Sequence, residues 1–290
     1  VPEESAGISD AANVLSAGAG GLRAELLKRA GDLADGDSID IGAKIAHFPE
    51  IQAGFEVEGF RTRLIPRGPM DPGSKLTLGG GGSLLVTGLL HTPLPDSELV
   101  AIFKRRLQFE DRWAIHEYLE VKPPFRGRGI NLRLLQSSFA LYEALGLDSV
   151  HLKASLATGR WHWARVGFEF HRAADLAAVR DWAVRVCDAL ELKEPDLPGF
   201  SSAAQIVRMG GDCTTSFAQM SAAMPGEEKR LRSLASENGL DPGTSIPLGR
   251  AVMLSGPDWM GRLELNGPSR VAFDIYASTK GERLRNANSG

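Results

Sequence analysis

Two hydrophobic periods alternate along the chain, and the switches between them mark out its elements. Residues 13–33 place Val14, Leu15, Leu22, Leu26, Leu27 and Leu33 around Gly18, Gly20 and Gly21, which predicts a short helix after the glycines. From Gly54 the spacing is strand-like at Phe55, Val57, Phe60, Leu64 and Ile65, and a Pro/Gly-rich loop follows over 66–73. Extended segments at 75–78 and 83–90 flank Gly79, Gly80, Gly81 and Gly82 and read as a hairpin with a flexible connection. Strands are predicted over 100–109 and 113–121, around a tight turn at Glu110, Asp111 and Arg112. After Pro123 and Pro124 the period becomes helical: Ile130, Leu132, Leu134, Leu135, Phe139, Leu141, Tyr142 and Leu145 predict a helix that stops at Gly146. Residues 149–154 are again strand-like, 157–166 helical and 168–170 extended. The order of strands, helix, strand, helix, strand predicts a mixed α/β sheet.

Beyond His171 the texture is helical, with Leu176, Val179, Trp182, Ala183, Val186 and Leu190 on one face. A loop follows at 195–199, and weaker helical stretches surround Met220 and Leu231. Residues 242–249 break them, strand-like segments are expected at 251–254, 260–265 and 271–277, and the tail from Lys280 is expected to fray. There is no internal repeat and no low-complexity block.

Composition narrows the function classes. With 290 residues, 43% of them hydrophobic and 24% charged, the chain buries a core and is not a disordered protein. The 33 Lys and Arg against 36 Asp and Glu leave a net charge of −3, so no global basic field attracts nucleic acid or an anionic membrane, and any polyanion site must be local. No apolar run approaches the ~18 residues of a membrane span, and residues 1–49 lack the basic start and apolar stretch of a signal peptide. The start at Val1 suggests a processed or trimmed chain. Cys187 and Cys213 are too few for a disulfide framework and lack metal-ligand spacing, so a reducing, cytoplasmic setting without a bound metal is expected.

The stretch that carries chemistry is LEVKPPFRGRGIN, residues 119–131. A strand ends at Val121, a proline turn redirects the chain, and a glycine-rich turn opens an apolar helix. Gly127 and Gly129 let the main chain approach a ligand closely, and the unpaired first amides of the helix together with its dipole favour a pyrophosphate. Lys122, Arg126, Arg128 and Arg133 make the local field basic with no acid between them. The dinucleotide fingerprint Gly-x-Gly-x-x-Gly and a phosphate-binding loop ending in Gly-Lys-Ser/Thr are both absent.

This region resembles the GNAT superfamily of acyl-CoA-dependent N-acyltransferases. Their turn, Arg/Gln-x-x-Gly-x-Gly/Ala, is matched at Arg126 and Gly129, with Asn131 departing at the last position, and the preceding Leu-x-Val-x-Pro pattern stands at Leu119, Val121 and Pro123. Leu145-Gly146-Leu147, residues 150–155 and Ala164-Arg165-Val166-Gly167-Phe168 are similar to later landmarks, so the resemblance covers about 100–170. It implies a GNAT-like α/β fold: a mixed, mostly antiparallel sheet, splayed between its fourth and fifth strands and flanked by helices, here with a helical C-terminal extension. It also implies acetyl-CoA, or another acyl-CoA, as co-substrate. The pyrophosphate would lie on Arg126, Gly127, Arg128, Gly129, Ile130 and Asn131, and pantetheine on the backbone of Leu119 and Val121. An amine acceptor, a small molecule or a peptide or protein, would attack the thioester directly.

The amine must be neutral to attack, so a base is useful. Strict alternation puts Glu117, Leu119 and Val121 on one face of their strand and His116, Tyr118 and Glu120 on the other. Glu117 stands where relatives often place a base and is the first candidate; the plainer alternative is a solvated or ion-paired residue. His151, sixteen residues before Gly167, is the second, with a reference pKa near ~6.5 that suits the task; the plainer alternative is a half-buried histidine with a backbone partner. The resemblance also implies a tyrosine acid four residues before the glycine of Gly-Phe, but Trp163 stands there. His162 beside it points about 100° away on a helix. Leu156 replaces an asparagine that often touches the cofactor. These departures leave open a module that binds acyl-CoA without turnover.

The expected organisation is an N-terminal helical segment (1–50), an acyl-CoA-binding core (51–172), a helical extension (173–250) and C-terminal strands with a frayed tail (251–290). The extension either covers the acceptor cleft or forms an oligomer interface such as a homodimer.

Overall fold

The structure, a computed structural model, describes residues 21–33, 38–40, 45–65, 75–77, 83–155, 157–192 and 200–288. The chain divides into two compact units. The first takes the described residues up to His151 together with 264–266 and those from Ala277 onward; the second takes 152–263 and 267–276.

The first unit contains α1 (Gly21–Leu33), β1 (Ser38–Asp40), α2 (Pro49–Ala53), β2 (Arg61–Ile65), β3 (Lys75–Thr77), β4 (Ser83–His91), β5 (Leu99–Gln108), β6 (Trp113–Val121), α3 (Ile130–Ala144) and the first half of β7 (Ser149–Ala154). Its main sheet runs β2–β4–β5–β6, each neighbour antiparallel. The inward positions of β5, namely Ala101, Phe103, Arg105 and Leu107, are completely buried, as period-two alternation requires of a sheet with one covered face. Leu134, Leu135, Phe139, Leu141 and Tyr142 of α3 are likewise sealed from solvent. Phe55 stacks on Phe103 at 5.3 Å between ring centres and meets Tyr142 edge-on at 6.4 Å, so helix and sheet share one aromatic cluster.

Two expectations fail in this unit. Residues 55–60 are not extended: Phe55 N–H donates to Gln52 O and Phe60 N–H to Val57 O, so turns consume the backbone while Phe55 and Val57 are buried from them. The hairpin across 75–90 is not formed either, because β3 pairs with β1 whereas β4 pairs with β2 and β5. The glycines at 79–82 lie outside the described residues.

The second unit adds α4 (Ala157–Val166), β8 (Glu169–Phe170), α5 (Ala173–Ala189), α6 (Ala203–Val207), β9 (Thr214–Thr215), α7 (Phe217–Ala223), α8 (Glu228–Glu237), β10 (Ile246–Pro247), α9 (Leu248–Ser255), β11 (Trp259–Glu264) and the start of α10 (Pro268–Asn288). β9 pairs with β10 and β8 with β11, both antiparallel. Reciprocal caps open α6 (Ser202 with Gln205) and α7 (Ser216 with Gln219), satisfying amides that have no partner inside the helix. Trp182 on α5 donates through Nε1 to Ser255 Oγ at 2.9 Å.

Here too the apolar pattern misleads twice. Residues 251–254, expected as a strand, lie in α9, where Leu248, Ala251, Val252, Met253 and Leu254 are all buried and no polar face reveals the period. Residues 271–277 lie in α10: Val271, Phe273, Ile275 and Ala277 mimic alternation, but only Phe273 and Ala277, one helical turn apart, are buried, while Val271 is 59% and Ile275 64% exposed. The tail, expected to fray from Lys280, is helical as far as Asn288. The predominantly antiparallel α/β architecture stands as expected. No helix among the described residues is long and apolar enough to cross a membrane.

Candidate functional site

An extra residue in β6 sets the geometry of the site. Lys104 lies opposite Tyr118 and Arg105 opposite His116, so Glu117 has no counterpart on β5 and forms a bulge. Strict alternation therefore fails across it. Arg105 with His116, Phe103 with Leu119 and Ala101 with Val121 share the inner face, although His116 and Leu119 are three residues apart. Glu117 does not share that face with Leu119 and Val121; its Oε1 accepts from Arg106 Nε at 2.6 Å on the outer side. Tyr118 and Glu120 also lie outside, where the tyrosine hydroxyl donates to Glu120 Oε2 at 2.8 Å and Lys122 Nζ donates to Oε1 at 2.9 Å. Those two bonds hold the Glu120 carboxyl below its usual pKa.

The ladder also decides where the main chain of β6 points. Lys122 N–H donates to Val100 O at 2.9 Å, so Lys122, Glu120 and Tyr118 are the positions that bond toward β5. Leu119 and Val121, alternating with them, turn their N–H and C=O groups away from β5. The Val121 carbonyl meets the guanidinium of Arg126, whose Nε donates to it at 3.0 Å.

A short 3-10 turn, Pro123–Phe125, carries the chain from β6 to the glycines. Gly127 (φ 81°) and Gly129 (φ 74°) are both left-handed, a conformation that costs other residues about 1–2 kcal/mol. Gly129 is the N-cap of α3, makes no side-chain cap and is followed by no acid in the first turn, so Ile130 and Asn131 open a helix whose first amides and dipole favour an anion. A Cβ at Gly127 would meet nothing within 4 Å, which leaves open space beside the turn for a phosphate. Arg128 lies 5.3 Å from the Phe125 ring centre. Arg133 is committed to the fold: it donates to Glu58 O at 3.0 Å and Arg128 O at 3.3 Å and stacks on Phe60. The other basic residues of the turn are Lys122, paired with Glu120, Arg126, on the Val121 carbonyl, and Arg128.

The two candidate bases do not converge. His151 stacks on Trp113 at 5.1 Å between ring centres, and its Nε2 lies 2.9 Å from Ser149 Oγ. Trp113 stands four residues before Glu117, roughly 13 Å of strand by the usual rise. Each would therefore serve a different point along β6.

Sequence reasoning passed over a polar cluster beneath the bulge. His116 Nε2 lies 3.2 Å from the Tyr142 hydroxyl, and Arg105 is buried beside them. Burial, reinforced by the Arg105 charge, pushes the His116 pKa well below 6.5, and burial raises that of Tyr142 to about 12. A histidine neutral in the fold and protonated in the unfolded chain makes the unfolded state the better proton binder below pH 6.5. Stability is therefore expected to be fully present above that pH and to fall as pH drops below it, by up to about 1.4 kcal/mol per unit. Denaturant midpoints of the wild type and His116→Gln between pH 7 and 5 test this; equal slopes would reject it.

Trp163, at the expected acid position, is an edge-on packing partner of Phe168 at 5.4 Å, and His162 lies against Trp163 at 5.1 Å. Leu156 lies outside the described residues. No group of His, Cys, Asp and Glu among the described residues could hold a metal.

No family model matches this chain, and no curated protein does. Among solved structures it is similar to a nourseothricin acetyltransferase, with 19% identity over 42% of this chain and 79% of that one, at a TM-score of 0.28.

Proposed function

We propose that this protein is an acyl-CoA-dependent N-acyltransferase that moves an acetyl group from acetyl-CoA to an amine by direct attack. The observation that carries the reading is the run from β6 into α3: main-chain groups of Leu119 turned away from β5, then a left-handed Gly127–Gly129 turn opening an uncapped helix beside Lys122, Arg126 and Arg128. An extended pantetheine arm matches the first part and a pyrophosphate the second. The acceptor is an amine on a small molecule or a peptide, and the basic turn is too local for bulk nucleic acid. Calorimetric titration with acetyl-CoA and CoA, followed by mass spectrometry for slow thioester hydrolysis, tests the reading. Binding with hydrolysis supports it; no binding of either rejects it.

In this reading Glu117 accepts the amine proton and Arg106 orients its carboxylate. Glu117→Gln is expected to leave acetyl-CoA affinity unchanged and to lower kcat/KM for the amine about tenfold, below the usual range for a base because Arg106 competes for the same oxygen. An unchanged kcat/KM across pH 6–9, a range of about three units around the histidine and amine values, would remove Glu117 from the role.

The ion pair between Glu117 and Arg106, with Trp163 packed on Phe168, favours a second reading in which the chain binds acyl-CoA without turnover. Binding without hydrolysis or transfer in a broad amine screen would select it.

A further inference from the structure

Arg105 is the least expected residue of the first unit. It occupies an inward position of β5, has no solvent exposure, and forms no ion pair with any described carboxylate. A buried unpaired cation is costly, and burial pushes its pKa down to about 10. Its neighbours are Phe103, whose ring centre lies 5.6 Å from the guanidinium carbon, and the His116–Tyr142 pair. Besides a side-chain bond with Tyr142, its guanidinium bonds the backbone: Nη1 donates to Lys104 O at 2.9 Å and to Tyr118 O at 2.6 Å. The second of these lies where the register of β5 and β6 shifts.

The Tyr118 carbonyl belongs to the same planar peptide as the Leu119 N–H. In a trans peptide the two point in opposite directions. With the carbonyl held against Arg105 on the β5 side, the Leu119 N–H is fixed facing the other way. A cationic donor on a carbonyl also draws electron density from its amide and makes the N–H a stronger donor.

We propose that Arg105 is a positioning residue: through the Tyr118 carbonyl it aims and polarises the Leu119 N–H, which donates to a carbonyl of the acyl-pantetheine ligand. This rests on the acyltransferase reading for the ligand's identity, but not for the state of the amide. Arg105 touches no reacting atom; it acts through one peptide group. The role accounts for a full cation, rather than an apolar side chain, at an alternating inward site.

The test compares wild type, Arg105→Met and Arg105→Lys by amide resonance, thermal midpoint and steady-state kinetics. In the wild type the Leu119 amide proton is expected downfield; in Arg105→Met it moves upfield while the fold and thermal midpoint are kept, because an apolar chain of similar length fills the space. Transfer should lose about tenfold in kcat with KM for acetyl-CoA changed less than about threefold, as expected for a donor that strengthens toward the transition state. Arg105→Lys, which keeps the charge, should recover part of both. An unmoved Leu119 resonance in Arg105→Met overturns the proposal, as does a loss of thermal midpoint with kcat unchanged. If Arg105→Met does not fold, the same amide and kcat readouts in Arg105→Lys decide, and wild-type values in both overturn it. Failure of wild-type protein to bind acetyl-CoA sinks the acyltransferase reading and the ligand role with it, while the resonance shift still reports separately whether Arg105 polarises the peptide.

Discussion

Gly127→Glu is expected to lower acetyl-CoA affinity by more than a hundredfold, at least about 2.7 kcal/mol. The added Cβ would meet no atom within 4 Å, so the side chain does not clash with the protein; it enters the space beside the uncapped start of α3. The cost to folding is confined to the left-handed backbone at φ 81°, about 1–2 kcal/mol. Binding loses twice, because the carboxylate occupies the anion's place and repels it at short range. Gly127→Asn is the control, since asparagine tolerates that backbone and carries no charge, and it should retain more affinity at similar stability. Calorimetry on both variants, with denaturant melts alongside, separates the two effects. Affinity within threefold of wild type for Gly127→Glu would move the pyrophosphate elsewhere.

The largest effect on stability is expected in the second unit. Gly249→Ala should destabilise the protein by about 3 kcal/mol. Glycine to alanine in an ordinary helix favours the helix by about 1 kcal/mol, so the sign itself is informative. In α9 a Cβ at this position would stand 2.3 Å from Ile206 O and 2.4 Å from Val207 O of α6. Those are backbone oxygens, which have no rotamer to escape into, so one helix must shift and open the packing of Ile206 and Leu248. A midpoint shift in urea at constant slope would show it. Stabilisation instead would mean that α6 and α9 do not approach so closely.

Local pattern carried the middle of the chain. β6, β7 and α4 lie where alternation and helical period put them, and β5 and α3 within a residue, because each has one buried and one wet face. The failures have a common physical origin. α9 is buried all round and α10 has apolar residues on both sides, so neither offers the contrast that defines a period. The turn at Gly127 and Gly129 was legible because left-handed backbone and glycine go together. The face assignment around Glu117 was not, since a bulge is a property of two strands and one of them cannot reveal it. Arg105 did leave a signal: a cation in phase with Ala101, Phe103 and Leu107 is an anomaly in a strand that otherwise alternates cleanly. Its partner, a carbonyl across the sheet, leaves no trace in residue identity.

The bulge also gives β6 one position that can be lost without exchanging the two sides of the strand. Deleting Glu117 would restore regular pairing, with Arg105 opposite His116 and Lys104 opposite Tyr118 as now, and would leave Leu119 and Val121 inward and Tyr118 and Glu120 outward. Deleting a paired residue after the bulge would instead exchange the two sides of all that follows it, and the main-chain groups that bond toward β5 would trade places with those that turn away. Away from Glu117, single-residue length changes that a surface loop absorbs would be lethal to the site, whereas side-chain changes at exposed positions of the same strand would pass. Descendants of this chain can vary what β6 displays far more freely than how many residues it contains.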